Sequence, residues 1–255
     1  MHLSTRSLPT MTVAGAALLV VLNASAPAGV HQQPALPQAA ATPTPLASKT
    51  SVRMPMSGTT GSQDHLRVVV IGDSLSTGLG TSPKQAWPKL LQSAPLPDKR
   101  SLKITNAAEN GSGYLATGAD GDTFRMEVEA AVTPATDVIM FFGSDNDTGA
   151  DPEELKAAVA STFDAASARA PKAILVAIGP LSGSEEMDQV LSDVCSSEAS
   201  AAGNVGVKFI DPIADRWLGG RADVLLGPDG EHPSAKGQKF LRDKMRRILT
   251  SALAS

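Results

Sequence analysis

The chain is poor in cysteine. Cys195 is the only one in 255 residues, which excludes an intrachain disulfide framework and any zinc site built on cysteines. Histidine is nearly as scarce, with His2, His31, His65 and His232 making the full set. Positive charge is not in excess. The net charge of −4 argues against nucleic acid as a partner, because phosphate binding leans on clustered Lys and Arg. A P-loop is ruled out, since no Gly-Lys-Ser/Thr stretch occurs. Gly78 and Gly80 lack the further glycine of a dinucleotide fingerprint. There is no Gly-x-Ser-x-Gly pentapeptide, so the nucleophile elbow of the α/β-hydrolases is absent as well. The apolar content, 42%, is ordinary for a globular chain.

The composition is uneven along the chain. Arg6 precedes a 12-residue apolar run over 11–22, and the small residues Asn-Ala-Ser-Ala-Pro-Ala-Gly follow it. This layout predicts a secretory signal peptide over 1–28 and a secreted protein. The run is short of the roughly 20 apolar residues of a membrane span; an uncleaved N-terminal anchor in the cell envelope is the alternative. No cysteine stands directly after the run, so a lipid anchor of the lipoprotein kind is excluded. Residues 29–65 are rich in Pro, Ala, Thr and Ser with no apolar period, which predicts a disordered linker. A folded domain is expected over 66–255. With Arg6, Lys49, Arg53 and Asp64 set aside, it carries 19 basic and 25 acidic residues, a net of −6.

That domain alternates strand-like and helix-like segments. Continuous apolar runs at 66–71, 137–142 and 173–178, with shorter ones at 102–106 and 207–210, predict five buried strands. Helices are expected over 84–93, 123–133, 151–169, 184–201 and 234–252. Asp151 and Ser234 stand as N-caps, and Pro152 sits at the first helical position. The pattern predicts an α/β fold, a three-layer α/β/α sandwich around a mostly parallel five-stranded sheet. Chemistry in such sheets collects beyond the carboxyl ends of the strands.

The loops at that edge carry reactive residue types. Gly72-Asp73-Ser74-Leu75-Ser76 follows the first strand; Ser74 there reads equally as a nucleophile or as a helix cap. Asn106 to Gly113 follows the second strand, with Gly111 and Gly113 able to expose backbone N–H groups. Gly143-Ser144-Asp145-Asn146-Asp147 follows the third. It lacks the spaced oxygens of a calcium loop. Asp229-Gly230-Glu231-His232-Pro233 precedes the last helix, and His232 is the only histidine after residue 65. A serine hydroxyl needs a base, the base needs an orienting acid, and the oxyanion needs donors. Ser74, His232 and Asp229 supply the first three parts. The Ser74 and Gly111 N–H groups and the Asn146 amide supply the donors.

These blocks resemble those of the SGNH/GDSL hydrolase family in content and order. Gly72-Asp73-Ser74-Leu75 resembles the first, Asn106 to Gly111 the second, Asn146-Asp147 the third and Asp229-x-x-His232-Pro233 the last. The resemblance implies Ser74 as nucleophile, His232 as base, Asp229 as its orienting partner, and Ser74, Gly111 and Asn146 as the oxyanion hole. The family's third block is commonly Gly-x-Asn-Asp. Here it is one residue longer, which puts Asp145 at the short-register position; Gly113 is the alternative to Gly111.

The expectation is a secreted carboxylic-ester hydrolase working through an acyl-enzyme, with no cofactor and no metal. The acidic domain disfavours polyanionic substrates, leaving a neutral acetyl or short acyl ester on a glycan or lipid. An O-acyltransferase on the same site and a non-catalytic surface-binding module are the competing readings. Oligomeric state has no signature in the sequence. Cys195, on a predicted helix, reads as a buried structural thiol. Trp217 reads as core or pocket wall, and Gly183–Asp188 as a helix start or a lid.

Overall fold

A computed structural model describes residues 65–94, 96–143 and 145–255. The expected signal segment and nearly all of the expected linker lie outside the described residues. Five strands form one sheet: β1 (His65–Gly72), β2 (Ser101–Asn106), β3 (Val138–Phe142), β4 (Ile174–Ile178) and β5 (Lys208–Ile210). Their order is β2-β1-β3-β4-β5, and every pairing is parallel. All five lie within a residue or so of their predicted positions, and β1 takes in His65 from the expected linker.

The helices are α1 (Ser74–Thr77), α2 (Trp87–Gln92), α3 (Phe124–Ala131), α4 (Pro152–Arg169), α5 (Glu185–Val190), α6 (Ser192–Val205), α7 (Ala222–Leu225) and α8 (Ala235–Ala252). Strand alternation sorts the core into two layers. Val68 and Val70 of β1 join Met140 and Phe142 of β3 on one face, under Trp87, Leu91, Leu241 and Met245. Val69, Ile71, Ile139 and Phe141 point to the other, under Phe124, Val128, Val159 and Phe163. This is the three-layer sandwich expected for strands that are apolar on both faces.

Two local expectations are corrected, and two short helices are added. The helix expected from 84 begins at Trp87, because Pro88 lacks an N–H and fits only in a first turn. The Trp87 N–H instead anchors on Gln238 Oε1 at 2.8 Å. The single helix expected over 184–201 is two, α5 and α6, joined at Leu191. Nothing in α5 is buried, whereas Leu191 is fully buried, so the chain turns to sink that side chain. The second helix then runs on to Val205, where Gly206 in the left-handed region stops it. Finally, α1 and α7 are one-turn helices with no apolar period to announce them.

Candidate active site

Asp73 caps α1. Its carboxylate accepts the Leu75 N–H at 2.9 Å, and this cap starts the helix that carries Ser74 at its first position. Ser74 is thereby held at the carboxyl end of β1, the central edge position the topology offers. Asp73 is itself fully buried, and its pKa is pushed well up, first by burial and then by the charge of Asp145.

The last block is a tight turn. Gly227 donates to His232 O at 2.7 Å, Leu226 and Pro233 form a short antiparallel bridge, and the Ser234 N–H and hydroxyl bond Leu225 O and Val224 O. Within the turn, Asp229 Oδ1 accepts the N–H groups of Glu231 and His232 at 3.1 and 3.0 Å. Asp229 Oδ2 lies 3.0 Å from His232 Nδ1. These bonds, the Glu231 N–H foremost and the His232 side chain next, hold the Asp229 carboxyl below its usual range. The carboxylate therefore stays ionised and fixes the imidazole proton on Nδ1. Nε2 is left as an acceptor, and it stands 3.0 Å from Ser74 Oγ. So the fold brings Ser74, His232 and Asp229 into one hydrogen-bonded chain, though Ser74 and His232 lie 158 residues apart.

The two middle blocks flank this chain. Gly111 has φ +79°, a left-handed turn that suits glycine, and among the described residues its N–H has no acceptor. The Gly113 N–H is occupied by Ala116 O at 2.9 Å, which separates the two candidates. Asn146 Nδ2 donates to Ser112 O at 2.9 Å, so its amide is tied to the loop of Gly111. Asp145 takes a different place. Its carboxyl is pushed up by burial and then by the charge of Glu231, with His232 acting in the opposite sense. It therefore lies within electrostatic reach of Glu231, His232 and the buried Asp73.

Three residues at the site had no role assigned in the sequence reading. Asp147 receives the N–H groups of Tyr114, Leu115 and Ala116 at 2.7, 3.0 and 2.8 Å, fastening the second block to the third. Glu231 Oε1 lies 3.8 Å from His232 Nε2. Glu127 is buried on α3 behind Gly72. Its spacing from Phe124 and Val128 puts it on the apolar stripe of that helix, which was a usable signal. Among the remaining candidates, Trp217 is both buried and part of a cavity wall, and Cys195 is buried, its thiol pushed up to about 12 by burial first.

Comparison with known proteins agrees with the geometry. The sequence pattern of the GDSL-like lipase/acylhydrolase family matches residues 70–240. A GDSL lipase of Mycobacterium tuberculosis is 37% identical over 196 residues, 73% of this chain and 82% of that protein. Esterase TesA of Pseudomonas aeruginosa is 28% identical over 183 residues, covering 70% and 85%. A crystal structure of TesA superposes with a TM-score of 0.60 at 20% identity, over 73% of this chain and 99% of that one. With the motif blocks, the fold and the family match in agreement, the chain belongs to the GDSL-like lipase/acylhydrolase family and is a carboxylic-ester hydrolase.

Proposed function

We propose that this protein is a secreted serine esterase that cleaves neutral O-acyl esters through an acyl-enzyme on Ser74. The observation that carries the reading is the unbroken chain Asp229 Oδ2–His232 Nδ1 and His232 Nε2–Ser74 Oγ, each link 3.0 Å. Ser74 Oγ attacks the ester carbonyl carbon while its proton passes to His232 Nε2. The oxyanion of the tetrahedral intermediate is met by the Ser74 and Gly111 N–H groups and the Asn146 amide. The alcohol leaves with the proton from His232, and Ser74 stays acylated. Water then attacks the acyl carbon, giving its proton to His232, which returns it to Ser74 as the carboxylic acid departs.

The alcohol part is a hydroxyl-rich one, such as a glycan. A cavity of about 460 Å³ lies over the ends of β4 and β5, within the size range of ligand sites. Ser182, Ser184, Glu185, Asp188, Arg216 and Asp223 line it beside Ile213, Trp217 and Leu218, a mix suited to the hydroxyls and the ring faces of a sugar. One of its lining residues, Gly183, packs close to Gly230 of the turn that carries Asp229. Export follows from the apolar run over 11–22, and N-terminal sequencing of the mature protein tests it.

The decisive assay is kcat/KM of the full chain on p-nitrophenyl acetate and butyrate beside Ser74→Ala and His232→Ala. Each variant is expected to lose at least about 10³-fold. A parent no faster than both variants would sink the esterase reading in favour of a binding module. Added glycerol or glucose as competing acceptor separates hydrolysis from acyl transfer: under the hydrolase reading free acid remains the product.

A further inference from the structure

One side chain ties the nucleophile strand to the oxyanion loop. The Gly72 N–H donates to Glu127 Oε2 at 2.9 Å, and Ser112 Oγ lies 2.7 Å from Glu127 Oε1. Gly72 is two residues before Ser74, and Ser112 directly follows Gly111. Glu127 is 1% exposed.

The proton count around Ser112 Oγ is the informative part. Besides Glu127 Oε1, this hydroxyl lies 2.9 Å from Glu109 O and 3.1 Å from Gly72 O. Both carbonyls only accept, and a hydroxyl has one proton to give. An ionised Glu127 would leave three acceptors competing for that proton. A protonated Glu127 eases the shortage: its own O–H donates to Ser112 Oγ, the Ser112 proton goes to one carbonyl, and each carbonyl also holds a backbone N–H, Glu109 on Gly72 O at 3.0 Å and Ser112 on Glu109 O at 3.3 Å. The other groups that bear on it are the buried Asp73, the Glu109 carboxylate and the Tyr114 hydroxyl, and none is a cation. Arg125, on the same helix, is paired with Glu129 on the exposed side. Burial pushes the Glu127 carboxyl up to about 8, outweighing the hydrogen bonds from Ser112 and from the Gly72 and Glu109 backbone, which act in the opposite sense.

We infer that Glu127 is a positioning residue that holds the oxyanion loop against the nucleophile strand as a neutral acid. It touches no substrate and acts through Gly72 and Ser112. The inference rests on the proposed roles of Ser74 and Gly111. Above the point where Glu127 ionises, Ser112 must turn its proton to the new carboxylate, and a charge appears beside Asp73 and Glu109. The loop carrying Gly111 then loses its register with Ser74. Displacements of about an ångström in such donors cost up to about 10²-fold in rate.

The test uses the full chain as parent, Glu127→Gln and Glu127→Ala, with p-nitrophenyl acetate from pH 6 to 9.5 and a thermal melt at each pH. Gln keeps the acceptor for Gly72 and offers an N–H to Ser112, so it copies the neutral acid at every pH. The parent is expected to lose kcat/KM on an alkaline limb centred near 8. Glu127→Gln is expected to stay within about 5-fold of the parent at pH 7 and to lack that limb, while Glu127→Ala falls about 10²-fold. Infrared difference spectra between pH 7 and 9.5 read the proton directly. A protonated-carboxyl stretch should vanish in the parent and be missing from Glu127→Gln. The inference is overturned if Glu127→Gln keeps the alkaline limb, falls as far as Glu127→Ala, or shows the same infrared loss as the parent. A parent no faster than Ser74→Ala at any pH would instead remove the esterase reading, and the positioning role with it.

Discussion

Asp147 offers the sharpest quantitative test of how the site is built. Its side chain is 3% exposed and accepts three consecutive backbone N–H groups, Tyr114 on Oδ2 and Leu115 and Ala116 on Oδ1. Hydrogen bonds to a charged acceptor contribute about 1.5–3 kcal/mol each, but these three share one carboxylate and do not add in full. Asp147→Ala leaves three N–H groups facing a small void, at a cost of about 3–5 kcal/mol. Against a total stability of about 5–15 kcal/mol, that is a large share. Asp147→Asn is the milder change. Its amide oxygen can still serve Leu115 and Ala116, but its NH₂ then faces the Tyr114 N–H, donor against donor, for about 1–3 kcal/mol. Gly113→Ala attacks the same strut from the other side, since a Cβ there would lie 2.6 and 2.7 Å from the two carboxylate oxygens. Urea unfolding followed by the fluorescence of the buried Trp87 and Trp217 reads all three variants. The expected order of stability is parent, Asp147→Asn, Asp147→Ala. An Asp147→Ala protein within about 1 kcal/mol of the parent would refute the claim that this carboxylate fastens the loop.

Other outcomes follow from the same geometry. Asn146→Ala is expected to lower kcat about 10²-fold as a lost oxyanion donor, and Asp145→Ala to lower it less; the reverse order on p-nitrophenyl acetate would shift the register of the third block by one residue. The carboxyl of Glu127 titrates higher when folded than when unfolded, so the folded state holds its proton more tightly. Its contribution to stability is therefore complete below the ordinary carboxylate range and lost as pH rises toward about 8. The raised carboxyl of Asp73 acts in the same sense. Tm measured from pH 5 to 9 should accordingly fall less for Glu127→Gln than for the parent. Gly237→Ala is expected to be among the most disruptive single-methyl changes, because its Cβ would sit 1.9 Å from Leu225 O and push α8 off α7; overpacking of this kind costs about 1–3 kcal/mol or more, readable as a lower urea midpoint.

The elements legible in the sequence were those whose signal is local and redundant. Val68 to Ile71 and Val138 to Phe142 are apolar at every position because both sheet faces are covered, so their runs could be placed within a residue. Ser74, His232 and Asp229 were legible because a scarce residue type sat in a turn of distinctive composition. What stayed hidden depends on neighbours distant in sequence. The break at Leu191 is set by the core beneath it, which the 184–201 pattern does not contain. Asp147 reads as one more acidic loop residue until the backbone of 114–116 is folded over it. Glu127 and Ser112 are ordinary polar residues apart, and only their approach to 2.7 Å makes them a link between α3 and the loop of Gly111. Gly111 and Gly113 are indistinguishable by type, and the partner of one N–H separates them.

The turn from Leu226 to Ser234 has a consequence for when the chain becomes reactive. His232 and Asp229 ride on one short hairpin, so the proposed triad is assembled from two pieces of chain and not three. Any shift of that hairpin carries both groups together, keeping the imidazole tautomer intact while opening the gap to Ser74 Oγ. Reactivity thus hangs on a single coordinate, the distance across which the hairpin docks on α1. On the proposed roles, the nucleophile is also made early and its base 158 residues later, so a nascent chain would carry an inert serine. On that reading, docking of the C-terminal segment is the arming step.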